Sequence, residues 1–259
     1  MGFNEMNYRE INLLTAHNYE VELTGDRSPT LRILQMESMH NRRGAAAEAV
    51  YLYYEAMARY KSLVNQEERS EPLDVLSFGF GLGYNEILTV IFFLKNNWDL
   101  NQLRLFSQEK DLFLYDIFND WLVSGADTGS IFDEVVLGIE RAMLAMGEGV
   151  SKVALKENMK WMLNSKRWVQ GGSVSSISDF ASIYDVVFYD AFSSKVDDSL
   201  WTEEFLGGLF SQRLKQNFVF STYACTGALK RIAAANSAQF VKREGYSGKR
   251  NASLVYRDR

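Results

Sequence analysis

The chain has 259 residues, 47% hydrophobic and 14% aromatic, enough to bury the core of one large domain. Its formal charge of -5 excludes a protein that coats nucleic acid nonspecifically but leaves room for a local basic patch. One cysteine (Cys225) and two histidines (His17 and His40) exclude an internal disulfide and leave little for a zinc site, so no metal is expected and a reducing, cytoplasmic setting is.

In chain order, residues 19–23 alternate, 25–29 read as a turn and 30–34 alternate again, which predicts a β-hairpin. From Gly44 the chain is Ala-rich, with Ala46, Ala49, Val50, Tyr53 and Met57 at helical spacing, predicting an amphipathic helix that ends near Lys61. A polar connection over 65–72 leads to 73–78, short and apolar, a buried parallel strand. A helix over about 84–95 and a strand over 103–107 complete a strand, glycine turn, helix, strand unit. The longest strongly apolar stretch, 87–94, is far shorter than the roughly 20 residues a membrane span requires. The first residues, with Asn4, Glu5 and Arg9, lack a signal-peptide core, so no membrane partner is expected.

Residues 112–166 are mostly helical, with helices over 131–146 and 152–163, and read as an insertion. Strands follow at 167–169, 184–189 and 217–222, and the chain closes on two strands, 238–243 and 252–257, joined at the 245–248 turn. The whole is a single α/β domain: an N-terminal hairpin and helix extension over 1–71, then a Rossmann-like core over 72–259.

Gly79-Phe80-Gly81-Leu82-Gly83 follows a strand and opens a helix. Glycines suit a tight turn with positive φ and let backbone approach a ligand without a Cβ in between. A dinucleotide fingerprint needs its third glycine where this chain has Tyr84, so the spacing favours S-adenosylmethionine over a nicotinamide cofactor. The alternative is a sharp corner with no ligand. Glu109, at the end of the second strand, can accept both ribose hydroxyls of a nucleoside, or it is a solvated loop acid. Asp190 ends the strand 184–189, and in an open parallel sheet it faces the same crevice as the glycines, making it the catalytic candidate; its alternative is a strand-end surface acid or helix cap. The segment 169–173 carries no acid for adenine, which leaves Gln170, Ser173 or backbone groups.

Several segments together resemble the methyltransferase domain of the MnmC family, above all its stand-alone members. They are 24–31, Glu37-Ser38-Met39-His40 with Gly44-Ala45 and Glu48-Ala49, the glycine turn, 190–193, 200–202, 221–223 with Gly227, and 248–250. The resemblance implies S-adenosylmethionine as cofactor, tRNA as partner, and methylation of the aminomethyl group of 5-aminomethyl-2-thiouridine at the wobble position. It places Glu37, Ser38, Gly79, Gly81, Gly83, Asn85, Glu109 and Asp190 at the cofactor and Phe192, Trp201, Tyr223, Lys249 and Arg250 at the substrate. Met39, Ser193-Ser194 and the acid-free 171–173 segment depart from the family pattern.

Methyl transfer from a sulfonium needs alignment of a neutral amine and no metal, and Asp190 suits proton acceptance. Trp201 and Tyr223 are candidates to stack on an extruded base, or are core residues. Six basic residues between 242 and 259 suit phosphate contact, or solubilise a hairpin. Two rival functions stand beside this one: a small-molecule methyltransferase or aminopropyltransferase-like enzyme, and a noncatalytic protein that kept the fold.

Overall fold

The computed structural model describes residues 7–34, 38–64, 71–125, 128–144, 147, 149–192, 197–248 and 251–258. Helix α1 (Tyr8–Ala16) precedes the expected hairpin, β1 (Tyr19–Leu23) paired antiparallel with β2 (Pro29–Ile33). The residue pattern does not mark α1, because only Leu14 of it is buried. The Ala-rich helix runs as α2 (Ala45–Ala49), a π-helical turn (Val50–Tyr54) and α3 (Glu55–Leu63).

The core is a seven-stranded sheet built from β3 (Leu73–Phe78), β4 (Leu103–Gln108), β5 (Trp168–Gly171), β6 (Tyr184–Tyr189), β7 (Leu214–Thr222), β8 (Gln239–Arg243) and β9 (Ala252–Arg257). Its order is β5-β4-β3-β6-β7-β9-β8. The first five strands in that order are parallel, and β9 runs antiparallel to both β7 and β8. The central strands are apolar on both sides, as a sheet covered on both faces requires. Val186 and Phe188 of β6 join a core shared with α2, α3, α4 (Tyr84–Lys95), α5 (Phe113–Val123), α6 (Ile131–Met143) and α7 (Lys152–Asn164). Val187 and Tyr189 face α8 (Glu203–Gln212) and α9 (Gly227–Ala235).

The expected strands 73–78, 184–189 and 252–257 have those bounds, whereas β7 begins three residues before the expected 217. Its second and third residues, Lys215 and Gln216, are polar and interrupt the apolar pattern near the sheet's end, so the apolar run understates the strand. Within the expected helical stretch, α5 follows β4 directly, α6 packs on α2 and β2, and α7 packs on α4, α5 and β5. A Cβ on Gly138 of α6 would stand 2.7 Å from the Ser28 Cβ, so that helix meets the hairpin turn at a glycine.

Candidate active site

The strand order reverses between β3 and β6, and crevices form outside the carboxyl ends of strands at such a point. The segments leaving β3, β4 and β6 stay in register there. Gly79 N–H donates to the Gln108 carbonyl at 3.0 Å, Asp190 N–H to the Phe78 carbonyl at 2.8 Å, and Glu109 N–H to the Gly171 carbonyl at 3.1 Å. The glycine turn, Glu109 and Asp190 thereby share the wall of one cavity of about 550 Å³. That is the size of a pocket for a nucleoside-sized ligand.

Gly79, Gly81 and Gly83 have φ of 97°, 54° and 70°, which explains the residue type at all three. Gly79 is further constrained because a Cβ would lie 2.6 Å from the Asp190 carbonyl oxygen. Above Gly81 stands the Met39 sulfur, 3.2 Å from where a Cβ would be. Gly83 caps α4 against Phe118 and Phe80 and does not line the cavity.

Glu109 is 6% exposed. Its Oε2 accepts from Gly81 N–H at 3.1 Å and its Oε1 from Asp111 N–H at 3.0 Å. Burial pushes this carboxyl above its ordinary range, and the two amides hold it back. Each oxygen keeps a second lone pair for another donor.

Asp190 lies on the cavity wall, beside Asn85 Nδ2 at 3.4 Å and close to the Tyr53 hydroxyl, which lacks a hydrogen bond of ordinary geometry. Burial pushes its carboxyl up to about 7; the Glu48 charge adds to the rise, while Tyr53 and Asn85 oppose it. Asn85 is 3% exposed, and its Oδ1 is a buried acceptor with no partner.

The loop after Asp190 is pinned by the two aromatics singled out in the sequence. Trp201 Nε1–H donates to the Phe192 carbonyl at 2.7 Å, and Tyr223 O–H donates to the Ala191 carbonyl at 2.8 Å. Tyr223 and Phe192 line the cavity, with Lys110 over the Phe192 ring. Trp201 stands behind that wall, packed edge-on against Tyr189. Ser38 lines the cavity and donates to Glu22, while Glu37, Lys249 and Arg250 lie outside the described residues.

Sequence reasoning gave no role to Glu48, Tyr53, Asn41 or Tyr246. Glu48 reaches the cavity from α2, one turn before Leu52, and its Oε2 accepts from Asn41 N–H at 2.8 Å. His40 also lines the cavity, and burial pushes its imidazole down to about 4. Buried Thr30 Oγ1 accepts from His40 N–H and has Nδ1 of the same ring as its remaining partner, so the hydroxyl donates to Nδ1 and the proton of the neutral ring sits on Nε2. Among the described residues, the charged groups on the wall are Glu48, Glu109, Asp190 and Asp197 against Lys110, an acidic majority.

Residues 145–257 match the family model for an S-adenosyl-L-methionine-dependent methyltransferase, a family whose cofactor is S-adenosylmethionine. That segment is less than half of this chain. Its fold is similar to that of MnmC2 from Aquifex aeolicus, with a TM-score of 0.59 and 18% identity over 96% of this chain and 77% of that one. TYW2 from Pyrococcus horikoshii, in complex with MeSAdo, gives 0.41 and 10% over 92% and 70%. The putative transferase PH0793 from the same organism gives 0.40 and 11% over the same shares. No curated protein matches the chain. Among the described residues, no helix is long and apolar enough to cross a membrane.

The cavity fits the cofactor on its own evidence. The positive-φ turn admits backbone where a side chain would intrude, and Glu109 keeps acceptor capacity for the hydroxyls of a nucleoside.

Proposed function

We propose that this protein methylates the aminomethyl group of 5-aminomethyl-2-thiouridine at the wobble position of tRNA. The observation that carries this reading is Asp190, a carboxyl tuned near neutrality in the same acidic cavity as the glycine turn. In the cofactor-binding role, Gly79 and Gly81 give the close approach, Glu109 takes the ribose hydroxyls, and Ser38 lines the remaining wall. When bound, S-adenosylmethionine supplies an electrophilic methyl group whose bond electrons remain with sulfur as the methyl joins nitrogen.

The chain's own contribution is proton handling and alignment. A primary ammonium has no lone pair to attack with, so one N–H proton passes to the ionised Asp190, leaving R–NH2 and a neutral carboxylic acid. After the transfer, nitrogen carries the positive charge as R–NH2⁺–CH3. Trp201 and Tyr223 fix the Ala191–Phe192 backbone and so hold Asp190 in place, work that positioning can reward with several kcal/mol, ~7 to 11 in favourable cases. Phe192 and Tyr223 offer aromatic faces to a base, as recognition of unpaired RNA bases uses. Lys249 and Arg250 belong to the tRNA-binding side of the proposal.

One observation favours a small-molecule amine as the second reading. Of the six basic residues in the tail, Arg257 donates to the carbonyls of Gln216, Asn236 and Lys215, and Arg243 pairs with Glu55 over the Tyr51 ring. Those two cations are spent inside the fold. Nucleoside mass spectrometry of tRNA incubated with the protein and methyl-labelled cofactor decides between the readings. Label on the aminomethyl uridine is expected, and label on free amines with none on tRNA would overturn the tRNA assignment.

A further inference from the structure

The Asp190 end of the cavity presents acceptors from separate elements. Glu48 comes from α2, Asp190 from the end of β6 and Asn85 from the first turn of α4. Glu48 and Asp190 line the same cavity, and the Glu48 charge raises the Asp190 carboxyl across it. Two like charges facing a shared space are costly unless a cation or a proton lies between them. Asn85 gives an independent indication of what that ligand is: its Oδ1 is buried and has no partner in the protein. A buried acceptor left so is satisfied when a ligand brings a donor. A primary ammonium carries three N–H donors and a positive charge, and this end of the wall offers three acceptors, two of them carboxyl groups. A hydroxyl brings one donor and no charge.

We propose that Glu48 is a specificity-determining residue: with Asp190 and Asn85 Oδ1 it forms an acceptor cup for a primary ammonium group, selecting amines over alcohols. The Asn41 N–H on Oε2 orients the carboxylate, and a glutamine at this position would keep that hydrogen bond while losing the charge. The proposal rests on the amine-methyltransferase reading for its reaction, but its binding selectivity is separable from chemistry.

The test uses the full chain saturated with S-adenosylhomocysteine, which carries no methyl to transfer. Calorimetry compares a nucleoside carrying an aminomethyl group with its hydroxymethyl counterpart. The wild type is expected to prefer the amine, and Glu48→Gln to shrink that preference by about tenfold or more, with affinity for S-adenosylhomocysteine kept. Glu48→Asp keeps the charge and should retain most of the preference, which guards against reading a folding defect as a binding one. In single-turnover methylation, Glu48→Gln should also move the pH profile to lower pH, since Asp190 loses a like-charged neighbour. An unchanged preference with an unmoved profile in the folded glutamine variant overturns the role of Glu48 and leaves the proposed reaction standing. Selective, Glu48-dependent amine binding without methyl transfer to tRNA would do the reverse.

Discussion

At the scale of single residues, Asp190 carries the most exposed claim. Its carboxyl accepts a proton only when ionised, and its ionisation is centred at about 7, so the chemical step should accelerate as pH rises through that value. Asp190→Asn removes the acceptor while keeping the shape. Turnover should fall on the order of 10²-fold or more, with cofactor affinity retained, in single-turnover assays across pH. Stability gives an independent check. A folded-state ionisation raised from 3.8 to about 7 means the fold favours the protonated form, a contribution present at low pH and lost as pH rises through about 7. The asparagine variant should therefore gain in Tm relative to wild type between pH 5 and pH 8. A wild-type rate at neutral pH with no such gain would make Asp190 an ordinary wall residue. Asp190, Glu109 and the glycines were legible in the sequence because each stands at the end of an apolar strand, where chain order alone dictates the cavity side. Tyr53 was not, and Glu48 stood out only within the family resemblance and without a role, since a helix residue reaches the cavity only through the rotation and placement of its helix.

At the scale of elements, the most informative junction is the start of α2. Its N-cap is Gly44, which has no side chain to offer the first N–H groups. The hairpin turn supplies them instead: Ala45 N–H donates to Thr24 Oγ1 at 3.2 Å, Ala46 N–H to Ser28 Oγ at 2.9 Å, and Ala47 N–H to Asp26 Oδ2 at 2.9 Å. The approach is close at Gly44, where a Cβ would lie 2.7 Å from Asp26 Oδ2 and oblige that carboxylate to shift. The hairpin and the helix were each legible from periodicity, but their mutual capping was not, since the partners lie 18 to 21 positions apart. Burial raises the Asp26 carboxyl, but its hydrogen bonds with Ser28, Thr24 and Ala47 outweigh that and hold it below the ordinary range. Its stabilising share is thus present at neutral pH and lost as pH falls through its depressed ionisation. Asp26→Ala should cost about 1 to 2 kcal/mol at pH 7, by analogy with other lost caps, and progressively less towards pH 3. Thermal melts at both pH values measure it, and a loss independent of pH would assign the effect to packing alone. Because α2 also delivers Glu48, the same variant should weaken amine selectivity.

At the scale of the whole molecule, the sheet separates two jobs at its opposite ends. The parallel strands and closing hairpin were legible because their apolar runs are short and bounded by turn residues. Less legible was the end remote from the cavity, where polar residues inside strands look like interruptions. Asp74 in β3, fully buried, takes both Nε and Nη2 of Arg104, at 2.6 and 2.7 Å, and Lys215 Nζ at 2.9 Å. Lys215 also bonds Asp185 at 2.7 Å, and Asp185 accepts from Asp74 N–H and from the Tyr60 hydroxyl. This network ties β3, β4, β6 and β7 together across the switch in strand order, the place where the crevice interrupts packing at the other end. Arg104 is 43% exposed in its side chain, so its pair with Asp74 is screened and replacing it by Met should cost only about 1 kcal/mol or less. Asp74 is different, since its removal leaves Lys215, 17% exposed, facing fewer counter-charges. Asp74→Asn should lower stability by roughly 3 to 5 kcal/mol, the range for breaking a buried pair. In urea titrations the midpoint should fall with an unchanged slope, and calorimetry on the folded variant should return the wild-type affinity for S-adenosylmethionine. If that affinity falls with the midpoint, strand alignment at the amino ends sets the cavity's geometry, and the two ends of the sheet are not energetically separate.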